Sequence, residues 1–235
     1  MARGRHSINH PIIQSFNQSI IQNPMTNENR ENLQIISYLT LRTLIGSLGI
    51  VLPIILAVGG FISTGNLVLE SSISSYYDTP MRDVFVGILF VLGFFLLAYK
   101  GYKPIDNIAA TLGFVFALGV ALCPSSSSVK AVWVLHFVSA GLLFGVFVFF
   151  SLYLFTKTHE GEEPTPGKKR RNIVYWICGL AIVFFLLIMA LCFIFLPPQV
   201  REAYKIIFWL ETGALWAFGI SWLVKGRFLW SSLLG

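Results

Sequence analysis

An all-α helical bundle embedded in a membrane, with about six transmembrane helices and both chain ends in the cytoplasm, is the fold class this sequence predicts, and three observations predict it. Of 235 residues 55% are hydrophobic and only 12% are charged, whereas a soluble domain carries about 25% charged residues. So few charges cannot cover a water-facing surface. Uncharged apolar runs recur along the chain, each close to the roughly 20 residues with which a helix rising about 1.5 Å per residue crosses a hydrocarbon core about 30 Å thick. Lysine and arginine, finally, gather on alternate connectors, the pattern of a protein whose cytoplasmic loops retain positive charge.

Six segments read as spans: 44–62, 84–99, 108–123, 131–155, 173–196 and 206–224. The second and third are short and need flanking residues or neighbouring helices to cross. Pro53 sits in the middle of the first, where a kink is expected. With the N-terminus inside, the cytoplasmic segments hold Arg3, Arg5, Arg30, Arg42, Lys100, Lys103, Lys157, Lys168, Lys169, Arg170, Arg171, Lys225 and Arg227, thirteen of the seventeen basic residues. The outer loops hold only Arg82, Lys130, Arg201 and Lys205. That asymmetry places both termini in the cytoplasm. The formal net charge of +6 is thus topological, and nucleic acid is not an expected partner.

The first forty residues are polar and rich in Asn and Gln; without an apolar core of their own they show no cleavable signal and read as a disordered segment, so the first span serves as insertion signal. Met25 is a plausible alternative start. Residues 229–235 form a short tail. Tyr76, Tyr77, Trp133, Tyr204 and Trp209 fall at the outer ends of spans, and Tyr99, Tyr102, Tyr153, Trp176 and Trp222 at the inner ends, as expected of amphipathic rings at headgroup level. The segment 156–171 joins Glu160, Glu162, Glu163, Pro164 and Pro166 to the basic run 168–171 and reads as a mobile cytoplasmic connector. Its basic run is explained most economically by topology, with anionic headgroups as a second reading.

Small residues recur every fourth position in the third span, at Ala109, Gly113, Ala117 and Ala121, and again at Gly141 and Gly145 in the fourth. Such faces let backbones approach, so these two helices are the expected centre of the bundle. Cys123, Cys178 and Cys192 lie in or beside apolar spans without metal-type spacing, and a packing role is expected of them.

The polar residues that invite a functional reading map to the outer half of the membrane. The first outer loop carries Ser71, Ser72, Ser74, Ser75, Tyr76, Tyr77, Asp78, Thr79, Arg82 and Asp83. His136 stands six residues beyond Lys130, and Glu211 seven beyond Tyr204, depths of roughly 9–10 Å at the helical rise. They are at one level. An ionisable side chain inside a span normally faces the bundle or a wet cavity, because exposure to lipid is costly. One reading is therefore an outward-facing pocket lined by His136, Glu211 and Asp83, with Asp78 and Arg82 at its mouth and Ser74 as a further ligand-binding candidate, that takes a lipid headgroup, another small polar ligand, a proton or a metal. The other is a structural hydrogen bond from His136 to Glu211 that ties the fourth span to the sixth.

One histidine with two or three carboxylates is a poor set for zinc, no GxSxG signature surrounds the serines, and no glycine-rich phosphate loop is present. No catalytic residue, metal site or cofactor is accordingly assigned.

The stretch from Ile73 to Phe155 resembles the DRAM/Frag/Sfk family of six-span membrane proteins and a related bacterial membrane family of unknown function. The shared features are the Ile73-Ser74 pair, Asp78-Thr79-Pro80 ahead of a span opening at Phe85, Tyr99 closing that span, a small-residue third span with Gly113, and His136 with Ala140 and Phe144 in the fourth. Ser75 stands where the family places an acid, and the Tyr76-Tyr77 and Arg82-Asp83 pairs fall outside the pattern. The resemblance implies a non-enzymatic protein connected with lipid organisation, membrane trafficking or stress responses. Membrane lipid is the expected partner and a bacterial inner membrane the expected location. A membrane-embedded metal hydrolase of the alkaline ceramidase type is the runner-up, although the late spans lack the histidines it requires. A transporter is the third reading, although the two halves of the chain show no evident repeat.

Overall fold

The structure, a computed structural model, describes residues 27–65, 69–101, 103–158 and 165–226, with side chains from 38 onward. By contacts the chain divides into residues 1–38 and 39–235. Of the first unit only the helical stretch from Asn27 is described.

Every regular element among the described residues is helical. α1 (Asn27–Thr64) runs through Pro53 and ends at Gly65, whose φ of 71° is the left-handed closing conformation that glycine adopts without steric cost. A 3₁₀ turn (Ser74–Asp78) precedes α2 (Arg82–Ala98), α3 (Pro104–Leu122) and α4 (Lys130–Phe149), which continues as a π-helical turn (Phe150–Leu154). α5 (Pro166–Phe195), the short α6 (Pro198–Ala203) and α7 (Ile206–Lys225) complete the chain. Proline opens α3, α5 and α6 within the first two helical positions, where its missing N–H would be unsatisfied in any case.

Among the described residues five stretches are long and apolar enough to cross a membrane: 38–64, 104–122, 130–154, 166–195 and 206–225. α2, the expected second span, has 17 residues and rises about 25 Å. The helix that begins at Asn27 lies partly within the polar segment assigned to residues 1–40, and the helical N-terminus of α5 takes in the basic run 168–171 that was expected to belong to a mobile connector. The cause is local: Thr165 caps α5, its hydroxyl oxygen accepting the Lys168 N–H at 3.3 Å. Residues 1–26, 159–164 and the tail 229–235 lie outside the described residues.

Packing places the centre elsewhere than the small-residue pattern suggested. α2 packs on α3, α3 on α4, and α5 on α7. Of α7's apolar stretch 56% is buried, against 39% in α3 and α4 and 17% in α5, so α7 is the central helix. Its backbone meets that of α1, where a methyl group added at Gly46 would stand 2.7 Å from the Gly219 carbonyl oxygen, and one at Gly219 the same distance from that of Gly46. The third-span stripe does face neighbours, with Gly113 against Leu96 and Val146. Gly141 and Gly145, by contrast, meet nothing within 4 Å, which corrects their reading as a packing face.

Two opposite ends of the bundle concern function. The serine end gathers the loop 69–81, the α3–α4 connection, α6 and the start of α7. The basic end gathers the α2–α3 turn, the π turn, the start of α5 and the end of α7.

Candidate functional site

At the serine end the loop before α2 is fastened to α7 by backbone. The Phe208 N–H donates to the Ser71 carbonyl at 3.1 Å, and the Ile73 N–H donates to the Glu211 carboxylate at 2.5 Å. Tyr76 is 1% exposed and packs its ring 6.3 Å from that of Phe208, with Gly60 of α1 against its other side. Burial pushes the Tyr76 phenol above its ordinary pKa, the Glu70 charge adding to the rise and the Glu70 backbone opposing it. Within the loop the serines satisfy one another: Ser72 and Ser75 hydroxyls lie 2.7 Å apart, Ser71 and Ser75 3.0 Å, and the Ser75 N–H donates to the Ser72 hydroxyl.

His136, in the second turn of α4, is 2% exposed. Its Nδ1 stands 2.6 Å from the Cys123 carbonyl oxygen. A carbonyl only accepts, so the hydrogen is on Nδ1. Cys123 follows the last residue of α3, whose end lacks intrahelical donors, so the imidazole closes that helix. Neither His136 nor Glu211 is the other's hydrogen-bond partner, and the direct bond proposed between the fourth and sixth spans is not formed, because a backbone group holds each of them.

Both nevertheless line one cavity of about 380 Å³. Its polar end is formed by the serine loop, Ser125, Ser126, His136, Asp78, Arg201, Glu202 and Glu211, and its wall by Phe137, Ala140, Gly141 and Phe144 of α4 with Leu186, Met189 and Phe193 of α5. A smaller hollow of about 50 Å³ continues inward past Ser74, His136, Phe144 and Glu211 toward Leu89 and Leu215.

α4 and α5 meet near the basic end, where a methyl group added at Gly179 of α5 would fall 2.3 Å from the Leu152 side chain, and Ser151 bonds Ser221 of α7 at 3.0 Å. Toward the serine end Gly141 of α4 is exposed, a methyl group added there would meet nothing within 4 Å, and the residue shares the cavity lining with Leu186, Met189 and Phe193 of α5.

No protein-family model, curated protein or solved structure matches this chain.

Of the six predicted site residues, His136, Glu211, Asp78 and Ser74 line the cavity. Arg82 and Asp83 do not: they pair with each other at 3.3 Å, with side chains 58% and 89% exposed, because the first turn of α2 turns them away from the bundle. Arg201, Glu202 and the apolar wall were not anticipated as site residues. Arg201 was legible as one of few outer cations, and its guanidinium donates to the Cys192 and Phe193 carbonyls at 3.3 and 3.1 Å, closing the C-terminus of α5. His136, Ala140 and Phe144 fall at successive fourth positions, a helical stripe that the sequence carried openly. Among the described residues no three His, Cys, Asp or Glu side chains converge to hold a metal ion.

Proposed function

We propose that this protein crosses the membrane six times, with α2 as the short second span and both ends in the cytoplasm, and binds a membrane lipid in a cavity that faces the outer leaflet. The orientation is supported by the thirteen-to-four division of basic residues. α2 packs along α3 and is flanked by buried Met81 and Tyr99, so neighbouring protein supplies what its length lacks.

The single observation that carries the reading is the cavity's two-part chemistry. Hydroxyls and carboxylates form one part of its lining and aromatic and aliphatic side chains of α4 and α5 the other, and in this proposal the unfilled space at Gly141 is the way in from lipid. A headgroup fits the first part and an acyl chain the second. The polar end holds Asp78, Glu202 and Glu211 against Arg201, whose guanidinium is engaged with backbone carbonyls, so a headgroup with ammonium or hydroxyl donors complements it. Binding is better supported than catalysis, since the serine hydroxyls bond one another and the His136 Nδ1 is engaged by a carbonyl. The lipid-linked role implied by the resemblance of Ile73 to Phe155 agrees in kind with this reading.

The test is retention of lipid by the purified protein, measured by native mass spectrometry on wild type and on Gly141→Trp, His136→Ala and Glu211→Ala. Wild type should keep about one lipid, and Gly141→Trp, whose indole fills open space, should lose it. A water-soluble polar ligand would survive Gly141→Trp and be lost in Glu211→Ala. Equal lipid retention by all four proteins would reject the cavity as the site.

A further inference from the structure

A second constellation lies at the basic end, remote from the serine cavity. The rings of Tyr99, Phe150, Phe155 and Trp222 stand 5.0–5.6 Å from their neighbours in this group, with Trp222 fully buried. Cations surround them. Arg42 is 6% exposed and lies 5.7 Å from the centre of the Tyr99 ring, Lys168 donates to the Phe155 carbonyl, and Lys225 lies 5.1 Å from the Phe155 ring centre. Among the described residues, the charges that act on Lys225 are those of Arg42, Lys168 and Arg171 and of one acid, Asp106. That acid is already committed: it accepts the Lys103 N–H at the start of α3 and stands 4.0 Å from Lys157.

Topology alone does not require this arrangement. Positive-inside retention needs basic residues on one side of the membrane, not side by side and partly withdrawn from water. The helix C-terminus favours a cation at Lys225, yet it accounts for one charge and not for four that converge. Lys225, half-buried, has no hydrogen-bond or ion-pair partner among the described residues. Like charges drawn together at a membrane boundary repel unless an anion lies among them.

We propose that Lys225, Arg42, Lys168 and Arg171 form a binding site for a phosphate group at the cytoplasmic end of the bundle. A phosphate offers several acceptor oxygens and up to two negative charges, which suits ammonium and guanidinium donors. The site stands at headgroup depth, so the phosphate belongs either to an anionic phospholipid of the inner leaflet or to a free ion or phosphorylated solute. It is separate from the serine cavity, and it rests on the proposed function only for which end of the bundle is cytoplasmic.

The experiment uses the full chain in uncharged detergent and in phosphatidylcholine nanodiscs. Inorganic phosphate is titrated against chloride at matched ionic strength, and phosphatidic acid is added to the nanodiscs; thermal unfolding and native mass spectrometry are the readouts. Wild type should be stabilised saturably by phosphate, by phosphatidic acid or by both; a response to the lipid alone assigns the headgroup, and a response to the ion assigns a soluble ligand. Lys225→Gln should weaken the effective probe about tenfold or more, the worth of one charge-assisted hydrogen bond, Lys225→Arg should restore most of it, and Lys130→Gln, exposed at the other end, should change nothing. If Lys225→Gln does not fold, Lys168→Gln is read in its place. No preference for either probe over its control, or equal losses in the Lys225 and Lys130 variants, overturns the proposal.

Discussion

Glu211 offers the sharpest perturbation because its two possible contributions, charge and acceptor, are separable. Its carboxylate accepts the Ile73 N–H, and Ile73 is 4% exposed, so loss of the acceptor leaves a buried backbone donor unmade. A hydrogen bond to a charged group contributes about 1.5–3 kcal/mol, and an orphaned buried donor costs about 1–3 kcal/mol. Opposing this is the cost of holding a carboxylate inside a span, which either substitution relieves. Glu211→Gln keeps an amide oxygen for the Ile73 N–H and should shift stability by no more than about 1 kcal/mol. Glu211→Ala gives up the acceptor and should stand about 1.5 kcal/mol or more below Glu211→Gln. At about 2–4 °C per kcal/mol for a chain of this size, the two variants should differ by roughly 3–6 °C in Tm. Thermal unfolding followed by circular dichroism gives the order, and protease cleavage within 69–81 reports whether the loop has come away from α7. Equal losses in both variants, or an alanine variant as stable as wild type, would refute the assignment of Glu211 as the loop's fastener.

Other consequences follow from packing and from burial. Gly46→Ala or Gly219→Ala sets a methyl group 2.7 Å from a carbonyl oxygen and should cost about 1–3 kcal/mol by overpacking, while Gly141→Ala, facing open space, should stay within about 0.5 kcal/mol of wild type; denaturant or steric-trapping unfolding distinguishes them. The Tyr76 phenol is raised above its ordinary value near 10 by burial, so its stabilising contribution is complete below that value and is lost as pH rises through the higher folded value; protease sensitivity of the loop should increase above about pH 10 in wild type and less in Tyr76→Phe. His136→Ala leaves the end of α3 without its imidazole donor and should lower stability by about 1–3 kcal/mol, measured as for Glu211.

The helical class and the ends of most helices were legible because long apolar runs leave few alternatives to helix: α7 was expected at 206–224 and runs 206–225, and α4 with its π turn covers 130–154 against 131–155. Membership of the site was legible where an ionisable residue lay inside a span, as for His136 and Glu211, since expense forces such groups inward. It was not legible for Arg82 and Asp83, whose sidedness depends on the rotation of α2, and a short amphipathic helix end carries no periodic signal for that. The small-residue pattern misled at Gly141 and Gly145 because glycine spacing reports where backbones can approach, whereas the actual approach is set by Gly46 and Gly219 on helices remote in sequence. Leu186 and Met189 were hidden among equally apolar neighbours on α5, a helix so little buried that composition does not mark one face.

The lateral entry proposed at Gly141, between α4 and α5, is the feature on which the lipid-binding account turns, and photo-crosslinking with a phospholipid bearing a diazirine on its acyl chain tests it most directly. After proteolysis, label should concentrate on Phe137 to Phe144 and Leu186 to Phe193 and should disappear from both in Gly141→Trp. Label spread evenly over the exposed faces of α1, α3 and α5, and unchanged in that variant, would contradict it.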